Sequence, residues 1–321
     1  MQFQGMGKPS VGVVFDADLG NTIDDTLALA LLYGLQAKGD ARVASVSVSK
    51  PTLKAAEFAD ALVRFYLGEP GPFFVQPAIG LALAGKAKDD TPMMTAVLDR
   101  QNAEGKPQYA RDIRKMNDTA DAAALIRNAL TSQQDENALV VLTGPPTNLL
   151  AALALPDMKE LVLQKVRYLT LADVGSDPAG ARKLLAEWPG KVVYAPPEIG
   201  AALPFPGAAI EKDFAWAPAH PVVDAYRGCH SMPYDAPAAA MAAALYAVRP
   251  EEKYFQVSEP GTLAVLDDGR TKFTASAEGK HRVLAADPAQ KDRVIAAYVE
   301  LASEKPRPRQ RPQRPPQKKD K

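Results

Sequence analysis

Short apolar runs alternate with longer amphipathic stretches at the start of the chain. Residues 11–15 (VGVVF) form a β-branched and aromatic run that is typical of a buried strand. A helical pattern follows at 24–39 and ends at a glycine, a second strand is predicted at 42–49, and a second amphipathic helix at 53–67. Strand, helix, strand and helix at this spacing predict a mostly parallel sheet.

The alternation of strands and helices continues through most of the chain. Residues 69–118 are rich in Pro, Gly and polar residues, and they predict loops and short helices over the sheet ends. Further helices are predicted at 118–130, 148–155, 159–163, 178–187, 236–248 and 289–303, and further strands at 138–142, 166–171 and 191–194. After Pro250 the pattern alternates residue by residue, and the Asp268-Gly269 pair between two such runs indicates a β-hairpin.

These elements predict an α/β fold with an open, mostly parallel but mixed sheet flanked by helices. The layout is Rossmann-like, with a C-terminal β-hairpin region. We expect an N-terminal extension at 1–10, one domain at 11–304 and a tail at 305–321. The tail is rich in Pro, Arg and Gln, which is the composition of a disordered segment.

Basic and acidic residues are equal in number but unequally distributed. Lys plus Arg and Asp plus Glu each total 38. The tail holds eight basic side chains and one acidic one, so the rest of the chain has 30 basic and 37 acidic residues. An acidic body argues against a nucleic-acid partner and is compatible with bound cations.

Cysteine content and apolar runs bear on where the protein works. A single cysteine, Cys229, excludes a disulfide within the chain. The N-terminal segment MQFQGMGKPS lacks the apolar core of a signal peptide, and no run of about 18 apolar residues occurs. We therefore expect a soluble, cytoplasmic protein with no membrane partner, and a secreted form trimmed of its leader is the alternative.

Four carboxylates crowd the predicted junction between the first strand and the first helix. They are Asp16, Asp18, Asp24 and Asp25, in the segment FDADLGNTIDD. The last two alone would be ordinary acidic residues of a first helical turn, where the macrodipole favours negative charge. Four carboxylates together repel one another unless a cation or protons neutralise them, and hard cations such as Ca²⁺ and Mg²⁺ prefer oxygen ligands. The cluster therefore predicts a divalent-metal site at the carboxyl end of the first strand.

The segment DADLGNTIDD resembles the aspartate-rich motif of the nucleoside hydrolases, in the longer form D-x-D-x-G-x-D-x-D-D. Three further stretches follow in the order of that family: LTGPPTNLLAAL at 142–153, AEWPGKVVYAPPEIGAALPFPG at 186–207 and PYDAPAAAMAAALYAVRP at 233–250. The chain is thus identified as a divergent member of the inosine-uridine preferring nucleoside hydrolase family, with similarity over 11–303.

The resemblance implies calcium-dependent hydrolysis of an N-glycosyl bond. The substrate would be a nucleoside or related N-riboside, and the products a sugar and a base. Asp18, Asp25, the main-chain carbonyl of Thr143 and Asp235 would bind Ca²⁺. Asp18 would also be the general base that takes a proton from the attacking water, and Asp16 would support the cluster. A homodimer or homotetramer is the assembly that the resemblance suggests.

Further positions are implied to contact the substrate. Asp24 would hold the ribose hydroxyls, together with Asn148 and with Thr52, which stands where the family has a ribose-binding asparagine. Tyr234 stands where members that protonate a purine have a histidine, and it would act on the leaving base. His230, four residues earlier, is the alternative for that role.

One family feature is missing, and it leaves two alternatives open. The family carries a Glu-x-Asn pair after the strand predicted at 166–171, whereas this chain reads LADVGSDPAGARKLL there. The first alternative is therefore a catalytically reduced homologue that binds a metal or ligand without turnover. The second is a phosphatase of the haloacid dehalogenase type, which FDADLGNT resembles, although the later lysine and acidic pair of that class are lacking.

Overall fold

The structure is a computed structural model that describes residues 10–68, 78–82 and 90–306. Most of the predicted N-terminal extension and most of the predicted tail lie outside these residues. The domain boundaries at 10 and 304 therefore stay predictions.

The described residues form a central sheet with helices on both faces. Its strands are β1 (Val11–Ala17), β2 (Ala41–Val48), β3 (Ile79–Leu81), β4 (Ala120–Asp121), β5 (Ala138–Leu142), β6 (Val166–Leu171), β7 (Val192–Tyr194), β8 (Phe255–Val257), β9 (Gly261–Val265), β10 (Thr271–Ala275) and β11 (His281–Ala286). The helices are α1 (Ile23–Lys38), α2 (Leu53–Leu67), α3 (Pro92–Leu98), α4 (Ala122–Thr131), α5 (Thr147–Leu153), α6 (Met158–Lys165), α7 (Pro178–Glu187), α8 (Pro197–Ala202), α9 (Gly207–Lys212), α10 (Pro221–Cys229), α11 (Ala239–Val248) and α12 (Lys291–Ala302).

The strand order across the described sheet is β10-β9-β11-β7-β6-β5-β1-β2-β3-β4, and β8 pairs with β11. Strands from β7 to β4 along this path are parallel, and β11 joins β7 in parallel, while β8, β9 and β10 pair antiparallel. The chain builds outward from β1 to β4 in one direction and from β5 to β7 in the other. The order therefore reverses between β1 and β5, where the carboxyl ends of parallel strands leave a crevice for a ligand.

Two hydrophobic clusters cover the two faces of the sheet. One gathers buried residues of α1, α2, α10, α11 and α12, and the other gathers those of α4, α5, α6 and α7. Helix α1 is buried from Thr26 to Leu35 because it packs against β2 as well as against α11 and α12. This central position explains why its sequence is apolar on all sides.

The predicted fold class is confirmed: the sheet is mixed, mostly parallel and flanked by helices. The Asp268-Gly269 turn joins β9 and β10, with Gly269 at φ +81°, in the left-handed region that a hairpin turn favours. Sequence patterns missed β3 and the three helices α8, α9 and α10. Within the described residues no helix is both long and apolar enough to cross a membrane.

Candidate functional site

A cavity of about 530 Å³ opens at the point where the strand order reverses. Its walls come from the β1–α1 junction, the starts of α3, α8 and α11, the ends of β5 and β6, and the end of α10. Asp18, Asp24 and Asp25 line one side, and Thr143 and Asp173 line the strand ends beside them. Three of the four aspartates recognised in the sequence therefore face the cavity that the topology creates.

The turn after β1 delivers the first carboxylates. Gly20 has φ +96°, a left-handed conformation that favours glycine, and a Cβ there would also displace the Met94 side chain, whose Sδ would lie 2.4 Å away. The Asn21 N–H donates to the Asp18 carbonyl at 3.0 Å, and the Thr91 hydroxyl donates to the Gly20 carbonyl at 2.7 Å. These bonds hold Asp18 at the cavity wall before α1 begins.

Asp16 lies beneath the cavity, in the sheet. It is fully buried, and its Oδ1 accepts hydrogen bonds from Ser47 at 2.7 Å and from Asn148 at 2.8 Å. Its Oδ2 is buried with no hydrogen-bond partner. Burial raises the pKa of Asp16 to about 7, although the Asn148 and Ser47 bonds act in the opposite direction. Asn148, predicted to bind substrate, thus has its amide engaged by Asp16.

Asp18 and Asp25 are the buried carboxylates at the cavity wall. Asn21 Nδ2 donates to Asp18 at 2.6 Å, and the Thr22 hydroxyl donates to Asp25 at 2.9 Å. Burial raises the pKa of both, and the charge of Asp18 raises that of Asp25 further. These shifts express the cost of keeping a carboxylate ionised away from water. A positive charge in the cavity would lower that cost.

Asp24 faces the cavity and also caps a distant helix. Its two oxygens accept from the N–H groups of Ala240 at 2.7 Å and Met241 at 3.3 Å, in the first turn of α11. Burial nevertheless raises the pKa of Asp24 to about 7. The carboxylate predicted to hold ribose hydroxyls is therefore shared with the α11 amides.

Thr143 follows β5 at the cavity floor. Its N–H donates to the Asp16 carbonyl at 2.9 Å, and its hydroxyl lies on Asp25, where hydrogen bonding acts to lower the pKa of that carboxyl. The backbone turns closely past β1 here, since a Cβ on Gly144 would lie 2.5 Å from the Asp18 nitrogen. This contact explains why a glycine follows Thr143 and how Thr143 comes to lie beside Asp18.

Three further predicted residues, like Asp16 and Asn148, are not among those that line the cavity. Asp235 is exposed, and its carboxylate accepts from the Gly207 N–H at 2.9 Å, at the start of α9. Tyr234 stacks on Tyr226 with ring centroids 4.3 Å apart, and its hydroxyl donates to the Tyr226 carbonyl at 2.7 Å. Thr52 is the N-cap of α2 and accepts from the Ala55 N–H at 3.2 Å.

The predicted metal ligands are thus only partly assembled. Asp18, Asp25 and Thr143 lie together, whereas Asp235 is held at the start of another helix. Over the residues that the structure describes, no group of three or more His, Cys, Asp or Glu side chains has the spacing to hold a metal ion. The assembled part is nonetheless an all-oxygen set, and Asp16 has a buried oxygen without a hydrogen-bond partner; oxygen ligands of this kind are those that a hard cation prefers.

Sequence reasoning missed two residues at the site and underrated a third. Asp173 follows β6 and lines the cavity, with Oδ1 accepting from the Gly175 and Ser176 N–H groups. Lys50 follows β2 and is fully buried, and its ammonium donates a hydrogen bond to Asn21 Oδ1. His230, considered only as a substitute for Tyr234, is exposed and lines the cavity. All three residues lie just after a strand or a helix, near the point where the strand order reverses. That position is the signal by which the sequence could have identified them as site residues.

The chain matches no protein-family model and no curated protein, but it is similar to solved structures over nearly its whole length. The inosine-uridine preferring nucleoside hydrolase from Bacillus anthracis is 16% identical, with a TM-score of 0.63 over 92% of this chain and 99% of that one. The purine-preferring ribonucleoside hydrolase from Gardnerella vaginalis is 16% identical, with a TM-score of 0.65 over 91% and 98%. The type III effector protein XopQ, solved with adenosine diphosphate ribose, is 13% identical, with a TM-score of 0.62 over 94% and 95%. The protein has the fold of the nucleoside hydrolases.

Proposed function

We propose that the protein is an N-glycosyl hydrolase that cleaves a nucleoside or a related N-riboside into sugar and base. The observation that carries the proposal is the pairing of Asp18 and Asp25, buried at the wall of the cavity where the strand order reverses. Two structures of this fold are nucleoside hydrolases by name, which supports the substrate class. The cavity of about 530 Å³ is within the range of pockets that hold a small-molecule ligand.

The proposed cofactor is one Ca²⁺ ion, held by Asp18, Asp25 and the main-chain carbonyl of Thr143. Support comes from the donors themselves: two buried carboxylates whose pKa is raised, together with a buried oxygen of Asp16 that has no hydrogen-bond partner. Such a cation, when bound, supplies a water of lowered pKa. The sequence also predicts Asp235 as a ligand. It is left out of the proposed set because its carboxylate accepts a hydrogen bond from the Gly207 N–H outside the cavity lining.

The chain's own groups would perform the proton transfers. Asp18 takes a proton from the water that attacks the sugar carbon, and Asn21 fixes the Asp18 carboxylate through its 2.6 Å bond. Asp173 and Asp24 line the cavity, and their carboxylate oxygens offer acceptors for sugar hydroxyls. His230 donates a proton to the leaving base in this proposal, because its side chain lines the cavity. The Tyr234 hydroxyl instead donates its hydrogen to the Tyr226 carbonyl.

Base release from a panel of purine and pyrimidine nucleosides tests the proposal. With millimolar CaCl₂ and chromatographic detection, at least one nucleoside is expected to yield free base, and Asp18→Asn is expected to lower kcat by about 100-fold or more. Asp99→Asn is the matched control, since Asp99 is exposed at the end of α3. No base from any nucleoside at high protein concentration refutes the hydrolase.

A ligand-binding protein without turnover is the second candidate. The placement of Asp235 and Tyr234 outside the cavity lining favours it, because two groups expected to complete the catalytic set are engaged elsewhere. The fold is also that of an effector solved with adenosine diphosphate ribose. Calorimetric titration of nucleosides and of ADP-ribose separates the candidates, since binding with no product after prolonged incubation supports the second.

A further inference from the structure

A lysine is buried beneath the aspartates of the site. Lys50 is 1% exposed and follows β2, the neighbour of β1 in the sheet. Lysine is almost never fully buried unless its charge is paired, because removing an ammonium from water is costly. The burial of Lys50 therefore calls for negative charge close to its ammonium.

One hydrogen-bonded path joins the Lys50 ammonium to a carboxylate of the site. The Lys50 ammonium donates to Asn21 Oδ1 at 2.8 Å, and Asn21 Nδ2 donates to Asp18 Oδ2 at 2.6 Å. The Asn21 amide is thus polarised along one direction, with its oxygen on the cation and its N–H on the carboxylate. The register also brings the two strand ends together, since the Ser49 N–H donates to the Ala17 carbonyl at 2.9 Å.

The pocket has a strong need for positive charge. Asp18 and Asp25 are 8% and 2% exposed, and Asp16, at the end of β1, is fully buried. Inside a protein, a unit charge several ångströms away changes such a site by far more than it would in water. A lysine linked to Asp18 by one amide is in a position to compensate part of this charge.

We propose that Lys50 is a built-in countercharge and positioning residue of the aspartate pocket. It stabilises the ionised carboxylates in the metal-free protein and holds Asn21 against Asp18. By the same charge it weakens the affinity of the pocket for a divalent cation. The first role does not depend on the proposed function, whereas the second rests on the proposed cation site.

A double-mutant cycle in EDTA tests the first role without metal or substrate. Lys50→Met is expected to lower the Tm by about 6 °C or more, because it leaves buried negative charge uncompensated. In an Asp18→Asn background, where that charge is absent, the same change is expected to cost half as much or less. If the Lys50→Met variant does not fold but the double variant Lys50→Met, Asp18→Asn does, the proposal is also supported. Equal losses in both backgrounds, or failure to fold in both, overturn the proposal.

Calcium titration by calorimetry tests the second role. Lys50→Met is expected to bind Ca²⁺ at least about tenfold more tightly than the unaltered protein, since one positive charge has left the pocket. Lys54→Met is the matched control, because Lys54 is four residues away, half exposed and paired with Asp90. Equal or weaker binding by Lys50→Met overturns the countercharge. Absence of calcium binding in every variant refutes the proposed cation instead, and the cycle in EDTA then decides the role of Lys50.

Discussion

Replacing Asp16 by asparagine isolates the electrostatic cost of the buried cluster. The carboxylate of Asp16 is fully buried, with one oxygen bonded to Ser47 and Asn148 and the other without a hydrogen-bond partner. Asparagine has nearly the same shape and can still accept both bonds through its own oxygen. Asp16→Asn therefore removes the charge while it keeps the packing.

The magnitude follows from the pKa of Asp16, which burial raises from 3.8 to about 7. Between these two values the folded protein keeps a proton that the unfolded chain has released, so the free energy of unfolding falls as pH rises through this window. From pH 5 to pH 8 the loss due to Asp16 is about 2.5 kcal/mol. Asp16→Asn lacks this loss, and its stability relative to the unaltered protein should improve by that amount.

Urea denaturation at pH 5 and pH 8, with EDTA present, measures this difference. Groups that do not interact with Asp16 contribute equally to both proteins and cancel; the buried His220, whose pKa is lowered to about 3 by burial, is one. The exposed Asp99→Asn variant controls for loss of a surface charge. If the stability difference between Asp16→Asn and the unaltered protein is the same at both pH values, Asp16 is not held in the folded protein with a raised pKa.

Three further substitutions test individual contacts. Tyr234→Phe is expected to lower the free energy of unfolding by about 1 kcal/mol through loss of the bond to the Tyr226 carbonyl, with no change in the rate of base release. His230→Gln is expected to lower kcat by about 100-fold with folding unchanged, and a rate within twofold of the unaltered protein would exclude it as the proton donor. Asp224→Asn is expected to lower the free energy of unfolding by about 3 kcal/mol in urea denaturation, because Asp224 is buried and binds both Arg100 and the hydroxyl of Tyr109.

The elements predicted best are those whose pattern is both long and bounded. The strands at 138–142 and 166–171 and the helix at 178–187 have the predicted limits, because Pro, Gly or charged residues mark their ends. Strand β3 was missed since three residues are too few to establish a period. Helices α8, α9 and α10 lie in a segment whose prolines suggest loops, yet Pro197 and Pro221 each occupy the first turn of a helix.

The site was predictable as a location and less so as a set of contacts. Asp18 and Asp25 could be found because a strand end followed by a helix start restricts where their side chains point. Asp235 matches a motif position and Thr52 stands where the family has an asparagine, but the side chains accept hydrogen bonds from the N–H groups of Gly207 and Ala55, and a sequence does not show such competing contacts. Lys50 escaped notice because lysines are ordinarily exposed, and only the packing of β2 beside β1 reveals that this one is buried.

The charge of the pocket connects Lys50 with the proposed cation. Burial raises the pKa of all four aspartates in the cluster, so each carboxylate is less stable in its ionised form than it would be in water. One ammonium and the amides of α11 offset part of four negative charges, and a divalent ion would offset much of the rest. Saturating calcium should therefore raise the free energy of unfolding more at pH 8 than at pH 5, because protons already neutralise the cluster at the lower pH. A calcium effect of equal size at both pH values would mean that the ion binds away from these aspartates.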